Sequence, residues 1–233
     1  MSTARGARAR ARIEVTAAIK DEARRQLASE GAARLSLRAV ARELGMVSSA
    51  LYRYFPSRDD LLTALIIDAY DSLGEAAEMA HSAVADAAPQ ARWVAVCVAV
   101  RDWALAHPHE YALIYGSPVP GYAAPDTTVR PASRVALLLV GIVRDAHRGK
   151  GVARPPLAAE LKTEAQRMAA DLAPDLPPEV AVALVAAWAQ LFGLIGFELF
   201  GQFHRVVEDR DPFFRHAAAQ LAHGVGLVYP QPS

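Results

Sequence analysis

Proline sets the outer limits of what this chain can fold into. Its prolines cluster at joints: Pro56, Pro89, Pro108, Pro118 to Pro131, Pro155-Pro156, Pro174 to Pro178, Pro212 and Pro230 among them. A proline removes a backbone donor and clashes with the preceding helical turn, so it sits at a helix start or between helices. Between these joints apolar residues recur every three or four positions, and no strand-like alternation appears. The pattern predicts an all-α chain with ten helices near 11–30, 37–44, 48–54, 58–80, 89–107, 109–115, 128–148, 156–172, 178–206 and 212–228. The longest loop, Gly116 to Pro131, carries four prolines.

Composition closes off several classes. The 233 residues are 53% hydrophobic, which excludes a disordered chain, and the one cysteine, Cys97, excludes a disulfide scaffold. Cys97 lies in the run Val94-Ala95-Val96-Cys97-Val98-Ala99-Val100, which predicts a buried, inert thiol. No apolar run follows the basic first residues, so no export signal is read and a cytoplasmic setting is expected. Val180 to Phe197 holds 18 residues with Gln190 as its only polar member. Flanked by Glu179 and Glu198 and rich in alanine, it reads as a helix buried on both sides in a soluble protein, with no membrane partner.

The formal net charge is zero, but residues 1–58 hold 12 basic and 5 acidic side chains, and residues 59–233 hold 13 and 20. A +7 segment attached to a −7 body suggests a polyanion partner at the basic end. Most of that charge is arginine, which can fork onto phosphates and guanine edges.

The basic end also has the pattern of three short helices. Ile13, Ala17, Ala23 and Leu27 line the first, which stops at Gly31. Ser36 stands as N-cap before Val40, Ala41 and Leu44, and Gly45 ends that second helix. Leu51, Tyr52 and Phe55 mark a third after a short turn. Two helices joined by a tight turn containing glycine form a helix-turn-helix. A fourth helix starts at Ser57-Arg58-Asp59-Asp60, a capping-box-like arrangement with Asp in the acidic position.

Leu35-Ser36-Leu37-Arg38-Ala39-Val40-Ala41-Arg42-Glu43-Leu44-Gly45, followed by Ala50-Leu51-Tyr52-Arg53-Tyr54-Phe55-Pro56-Ser57-Arg58-Asp59-Asp60-Leu61-Leu62, resembles the DNA-binding domain of TetR-family transcriptional regulators. Trp103-Ala104-Leu105-Ala106-His107-Pro108-His109-Glu110-Tyr111 and Tyr115-Gly116-Ser117-Pro118-Val119-Pro120-Gly121-Tyr122 resemble the WHG-type regulatory domain found in part of that family. The resemblance implies a three-helix DNA reader, residues 1–57, joined to a larger all-helical regulatory and dimerisation domain, residues 58–233. Two positions depart from the family pattern. Val47 replaces the frequent capping serine, which leaves Ser48 to cap, and Tyr54 stands where histidine is common.

On this reading Ser48, Ser49 and Arg53 face a DNA groove, and the resemblance assigns Tyr52 and Tyr54 to phosphates through their hydroxyls. Ser36, Arg38 and Arg58 grip flanking phosphates, and Arg42 belongs to a solvated face. The arm carrying Arg5, Arg8, Arg10 and Arg12 is expected to be unstructured when free, and to lie along the DNA backbone or enter the minor groove; the alternative is a solubilising tail.

One such unit has a small footprint, so a homodimer on a near-palindromic double-stranded operator is expected. Its interface would combine Trp188, Leu191, Phe192, Ile195, Leu199 and Phe203 with Pro212, Phe213, Phe214, Ala217, Leu221 and Val225 in a four-helix bundle; the alternative is that these form only an intrachain core. Helices four to seven would enclose an unknown small-molecule ligand among Trp93, Cys97, Arg101, Trp103, His107, Tyr111, Tyr115, Tyr122 and Phe197; the alternative is that these aromatics at helical spacing are simple core. Arg101 and Asp102 are adjacent, so only one can face inward.

No enzymatic signature appears. His107-Pro108-His109-Glu110 lacks metal-site spacing, and there is neither a phosphate-binding glycine loop nor a dinucleotide fingerprint. No cofactor is implied. The expected function is a dimeric repressor released from its operator by a small molecule. The alternative is a helical small-molecule-binding protein, or an enzyme, without DNA function.

Overall fold

The structure is a computed structural model that describes residues 2–149 and 151–227. Among these residues lie ten α-helices, three short 3₁₀ turns and no strand. The helices are α1 (Ser2–Glu30), α2 (Leu37–Glu43), α3 (Ser48–Leu51), α4 (Arg58–Ala83), α5 (Pro89–Ala106), α6 (Pro108–Tyr115), α7 (Val129–Arg148), α8 (Lys162–Leu172), α9 (Pro178–Leu199) and α10 (Arg210–Gly224).

The helix boundaries differ from expectation where local chemistry outweighs periodicity. The basic arm is not unstructured: α1 begins at Ser2, because alanine and arginine are strong helix formers with only Gly6 to interrupt them. Helix α8 starts at Lys162, directly after a 3₁₀ turn at Ala159–Leu161. Helix α9 ends at Leu199, where Gly201 takes φ +83° and Arg205 takes φ +60°. Both lie in the left-handed region, which a continuing helix cannot contain.

The chain divides into two compact units. One comprises Met1–Tyr70 and His107–Pro131, the other Asp71–Ala106 and Ala132–Ser233. The first therefore combines the three basic helices with the start of α4, with α6 and with the long proline loop. Its core joins Ile19, Ala23 and Leu27 of α1, Leu37, Val40 and Ala41 of α2, Leu51 and Phe55, and Leu61, Leu62 and Leu65 of α4; Leu113, Val119 and Tyr122 pack against it. Polar contacts fasten the same elements. Lys20 Nζ lies 2.8 Å from Asp68 Oδ1, while Arg24 reaches Asp68 at 2.8 Å and Glu110 at 3.2 Å. The Thr63 and Tyr122 hydroxyls are 2.9 Å apart.

The second unit buries one face of each long helix: Trp93, Val96, Cys97 and Val100 of α5, Leu139, Ile142 and Val143 of α7, and Phe214, Ala218 and Leu221 of α10. Helix α9 is long and apolar enough to cross a membrane, and 33% of its most apolar stretch is buried in the protein. It is not buried on both sides as expected. Val180, Ala181, Leu184, Ala187, Leu191, Ile195 and Glu198 face the core, while Ala186, Trp188, Ala189, Gln190, Gly193 and Phe197 are exposed.

Candidate nucleic-acid interface

The α2–turn–α3 segment is built by caps. Ser36 takes an extended conformation before α2, and its hydroxyl accepts the Ala39 N–H at 3.4 Å. At the other end Gly45 adopts φ +64°, a conformation open to glycine. Its N–H reaches Arg42 O at 3.1 Å, and the Met46 N–H reaches Ala41 O at 2.8 Å. These bonds satisfy the last carbonyls of α2 and turn the chain sharply. Helix α3 then starts without a side-chain cap. Val47 occupies the N-cap position and Ser48 is the first helical residue, so the expected capping by Ser48 does not occur. The Ala50 N–H bonds the Val47 carbonyl at 2.9 Å, and the chain continues through Tyr54 in turns, with Tyr54 N–H to Leu51 O at 2.8 Å.

This geometry separates an inner and an outer surface. Leu51 and Phe55 are buried. Val47, Ser49, Tyr52, Arg53 and Arg38 are exposed, and Ser36, Ser48 and Tyr54 are half-buried. Arg42 is solvent-facing as expected and lies 3.2 Å from Glu43. The helical arm adds a contact that periodicity does not reveal. The Arg12 guanidinium carbon sits 5.2 Å from the centre of the Tyr54 ring, and Arg12 Nη2 donates to Arg53 O at 3.5 Å. Arg8 and Arg10 are exposed further along the same helix. The described side chains do not include Arg5.

Arg58 differs most from its expected role. Its guanidinium donates to Leu35 O at 3.2 Å, Ala32 O at 2.8 Å and Ala33 O at 3.3 Å, and Nη1 lies 3.5 Å from Asp59. These partners make the half-buried Arg58 a brace between α4 and the segment before α2. Beside it Ser57 and Asp60 form the helix start: the Asp60 N–H donates to Ser57 Oγ at 3.1 Å, and the hydroxyl donates back to the carboxylate at 2.6 Å.

The expected ligand residues fall in both units. Tyr111 and Tyr115 meet in the first, with ring centres 5.3 Å apart, and Tyr70 approaches Tyr115 at 5.9 Å. Burial pushes the Tyr111 and Tyr115 hydroxyls well above the ordinary tyrosine range. His107 precedes α6 as its N-cap, and Tyr122 is held by Thr63. In the second unit Trp93, Cys97, Arg101 and Trp103 are buried on α5. Burial pushes the Cys97 thiol far up, in keeping with an inert thiol. The Trp103 indole donates to Ser72 Oγ at 2.9 Å. The Trp93 indole N–H has no hydrogen-bond partner among the described residues. Arg101 faces inward, on Glu198, and Asp102 outward. Phe197, expected in a pocket, is instead 55% exposed on α9.

The expected dimer residues divide as well. Ile195, Phe214 and Leu221 are buried within their own unit, so they are core and not surface. Trp188 and Phe213 are each 38% exposed, and Phe192, Leu199 and Ala217 are half-buried. Phe200, overlooked in the sequence, is 51% exposed. Phe197 meets Phe203 at 5.9 Å, and Phe203 meets Phe213 at 5.5 Å. At 3.6 residues per turn, Ala189, Gly193 and Gly196 lie opposite the buried face of α9, with Trp188 and Phe192 on one flank and Phe197 on the other. Among the described residues no cluster of side chains could hold a metal ion.

A capped α2, a glycine turn, a short α3 with a polar outer surface and an arginine-rich leading helix define a helix-turn-helix DNA-binding protein. Residues 19–65 match the family described as bacterial regulatory proteins, tetR family, and residues 93–221 match the tetracyclin repressor-like C-terminal domain. The chain is 41% identical over 212 residues to the HTH-type transcriptional regulators Rv1816 of Mycobacterium tuberculosis and Mb1846 of Mycobacterium bovis, covering 85% of this chain and 86% of each relative. A solved structure of SCO4313, described as a regulatory protein, superimposes with a TM-score of 0.76 at 34% identity, over 92% of this chain and 98% of that one. The chain belongs to the TetR family: it is a transcriptional regulator with a DNA-binding helix-turn-helix, not an enzyme.

Proposed function

We propose that this regulator is a cytoplasmic homodimeric repressor that holds a near-palindromic operator and is released by a small molecule. The observation that carries the dimer is the outer face of α9. Small residues run down its centre with aromatic side chains on both flanks, and Phe213 of α10 is exposed as well. Such a surface seats the helix of a second copy by close backbone approach and aromatic burial. A dyad then presents two helix-turn-helix units to two half-sites, with Ser48, Ser49 and Arg53 toward base edges and Ser36, Arg38, Tyr52 and Tyr54 toward phosphates.

Two features support ligand control. The Trp93 indole N–H is a buried donor without a partner among the described residues, a deficit of about 1–3 kcal/mol that an acceptor on a bound molecule removes. Helix α6 and the loop after it pack on the core of the DNA-reading unit, so Tyr111, Tyr115 and Tyr122 lie where a bound molecule would act on that unit directly. The ligand must favour one of two states of the reader to shift binding at all.

Sedimentation velocity and footprinting on the promoter of the protein's own gene test the proposal together. The expected result is a dimer that protects two half-sites about one helical turn apart, and a Gly193→Glu variant that is monomeric and protects neither. A monomer that protects a full palindrome would overturn the dimeric reading.

A further inference from the structure

Val47 is the one apolar side chain on the outer surface of the DNA-reading segment whose position nothing inside the protein explains. It is 70% exposed. It stands at the N-cap of α3 but contributes no side-chain cap, a role that serine or threonine fills and valine cannot. The adjacent Met46 packs against the core of its unit, so the hydrophobic demand of the turn is already met one residue earlier. The exposed residues of the same α2–turn–α3 segment include Arg38, Ser49, Tyr52 and Arg53, all polar or cationic.

We infer that Val47 is a specificity-determining residue that reads the 5-methyl group of a thymine in each operator half-site. The inference rests on the reading of α2 and α3 as the DNA contact. The thymine methyl is the apolar group that the major groove offers, and only an apolar side chain gains by covering it. Val47 leads into α3, and the first residues of a recognition helix are those that meet base edges. Its β-branch restricts χ1, so little side-chain freedom is lost on contact. A serine at this position would cap α3 but leave the methyl unread. This chain has given up the cap, and the groove contact is what valine supplies in its place.

Replacing thymine by deoxyuridine removes the methyl and nothing else. The probe is a duplex enriched by the full-length protein from a random-sequence library, resynthesised with each thymine changed singly to deoxyuridine. Burial of one methyl group corresponds to about a fourfold change in Kd. Wild type should therefore lose about fourfold at one thymine per half-site, and about fifteenfold when both are changed. Val47→Ser should bind thymine and deoxyuridine probes equally at that position, and Val47→Ile should keep the discrimination. A melting curve for Val47→Ser no lower than wild type, as expected for a restored cap, separates lost reading from lost folding. If the enriched site shows no deoxyuridine effect that disappears in Val47→Ser, the inference is overturned while DNA recognition stands. If no sequence is enriched, sequence-specific DNA recognition fails, and this inference with it.

Discussion

Arg101 and Glu198 meet as a two-pronged ion pair inside the second unit. Arg101 Nε and Nη2 lie 2.7 and 2.8 Å from the two carboxylate oxygens, with side chains 7% and 4% exposed. Arg101 Nη1 also reaches the exposed Asp211 at 2.7 Å, and its guanidinium carbon lies 5.1 Å from the Phe214 ring centre. The pair joins α5 to α9, and the Asp211 contact extends the link to α10. Removing one member leaves the other charge buried and unpaired, which costs about 3–5 kcal/mol, whereas replacing both with apolar residues of similar volume is often nearly neutral. Urea unfolding should show Arg101→Met strongly destabilised and the double variant Arg101→Met/Glu198→Leu restored close to wild type. Equal losses in the single and double variants would show that the ion pair does not set this cost.

The limits of the sequence reading follow from what periodicity can carry. Leu51 and Phe55 turn inward, and Gly31 and Gly45 end helices, because spacing and glycine chemistry act locally. The partners of a polar side chain do not. Arg58 bonds carbonyls 23 to 26 residues away, and no pattern around it points there. Helix α9 fails differently. It is apolar on every side, so periodicity cannot tell which face is core, and nothing in the pattern separates buried Ile195 from exposed Trp188. Charge alone reads the arm as an unstructured tail, yet its alanine-arginine repeat favours helix, and that helix brings Arg12 over Tyr54.

Gly226 has two reasons to be glycine. Its φ is +92°, and a Cβ there would lie 2.1 Å from Ala153 O, a backbone atom that cannot swing aside. The close approach exists because the Ala153 N–H donates to Gly226 O at 3.0 Å, tying the segment before α8 to the end of α10. Gly226→Ala should lower stability by at least about 1–3 kcal/mol, the scale of left-handed backbone strain, with steric displacement of Ala153 added. Thermal unfolding checks it, and an unchanged melting temperature would contradict the observed packing.

His81 makes stability depend on pH. Arg92 Nε and Nη2 approach His81 Nε2 at 3.0 and 2.7 Å, and Arg92 also pairs with Asp145 at 2.8 Å. A ring nitrogen that accepts from a guanidinium must be unprotonated. Burial foremost, and the Arg92 charge second, hold the imidazole below its ordinary value of 6.5, with Asp145 opposing. A histidine with a lowered folded-state pKa binds fewer protons folded than unfolded, so its contribution is complete above pH 6.5 and is lost as pH falls below it. Melting temperature measured from pH 8 down to pH 5.5 should decline below 6.5 in wild type. His81→Gln, which keeps an acceptor but cannot titrate, should flatten that decline.

Arg12 and Arg53 should separate affinity from specificity. Arg12 stacks on Tyr54 and donates to the Arg53 carbonyl, so it supports the outer surface and brings positive charge beside it. Arg53 is exposed and free to extend a fork toward a base edge. Loss of a phosphate-directed cation weakens binding to every sequence alike and reduces the log–log salt slope by about 1, whereas loss of a base-reading arginine costs about 1–3 kcal/mol at one position only. Arg12→Ala should lower affinity for specific and random duplexes by the same factor and flatten the salt dependence. Arg53→Ala should leave random-duplex binding comparatively intact and relax preference at one base pair per half-site. Fluorescence anisotropy across a salt series, on the selected duplex and its single-base variants, measures both. A uniform loss from Arg53→Ala would reassign that residue to the backbone. A loss from Arg12→Ala confined to one base pair would bring the arm, by way of Tyr54 and the Arg53 carbonyl, into the reading of sequence.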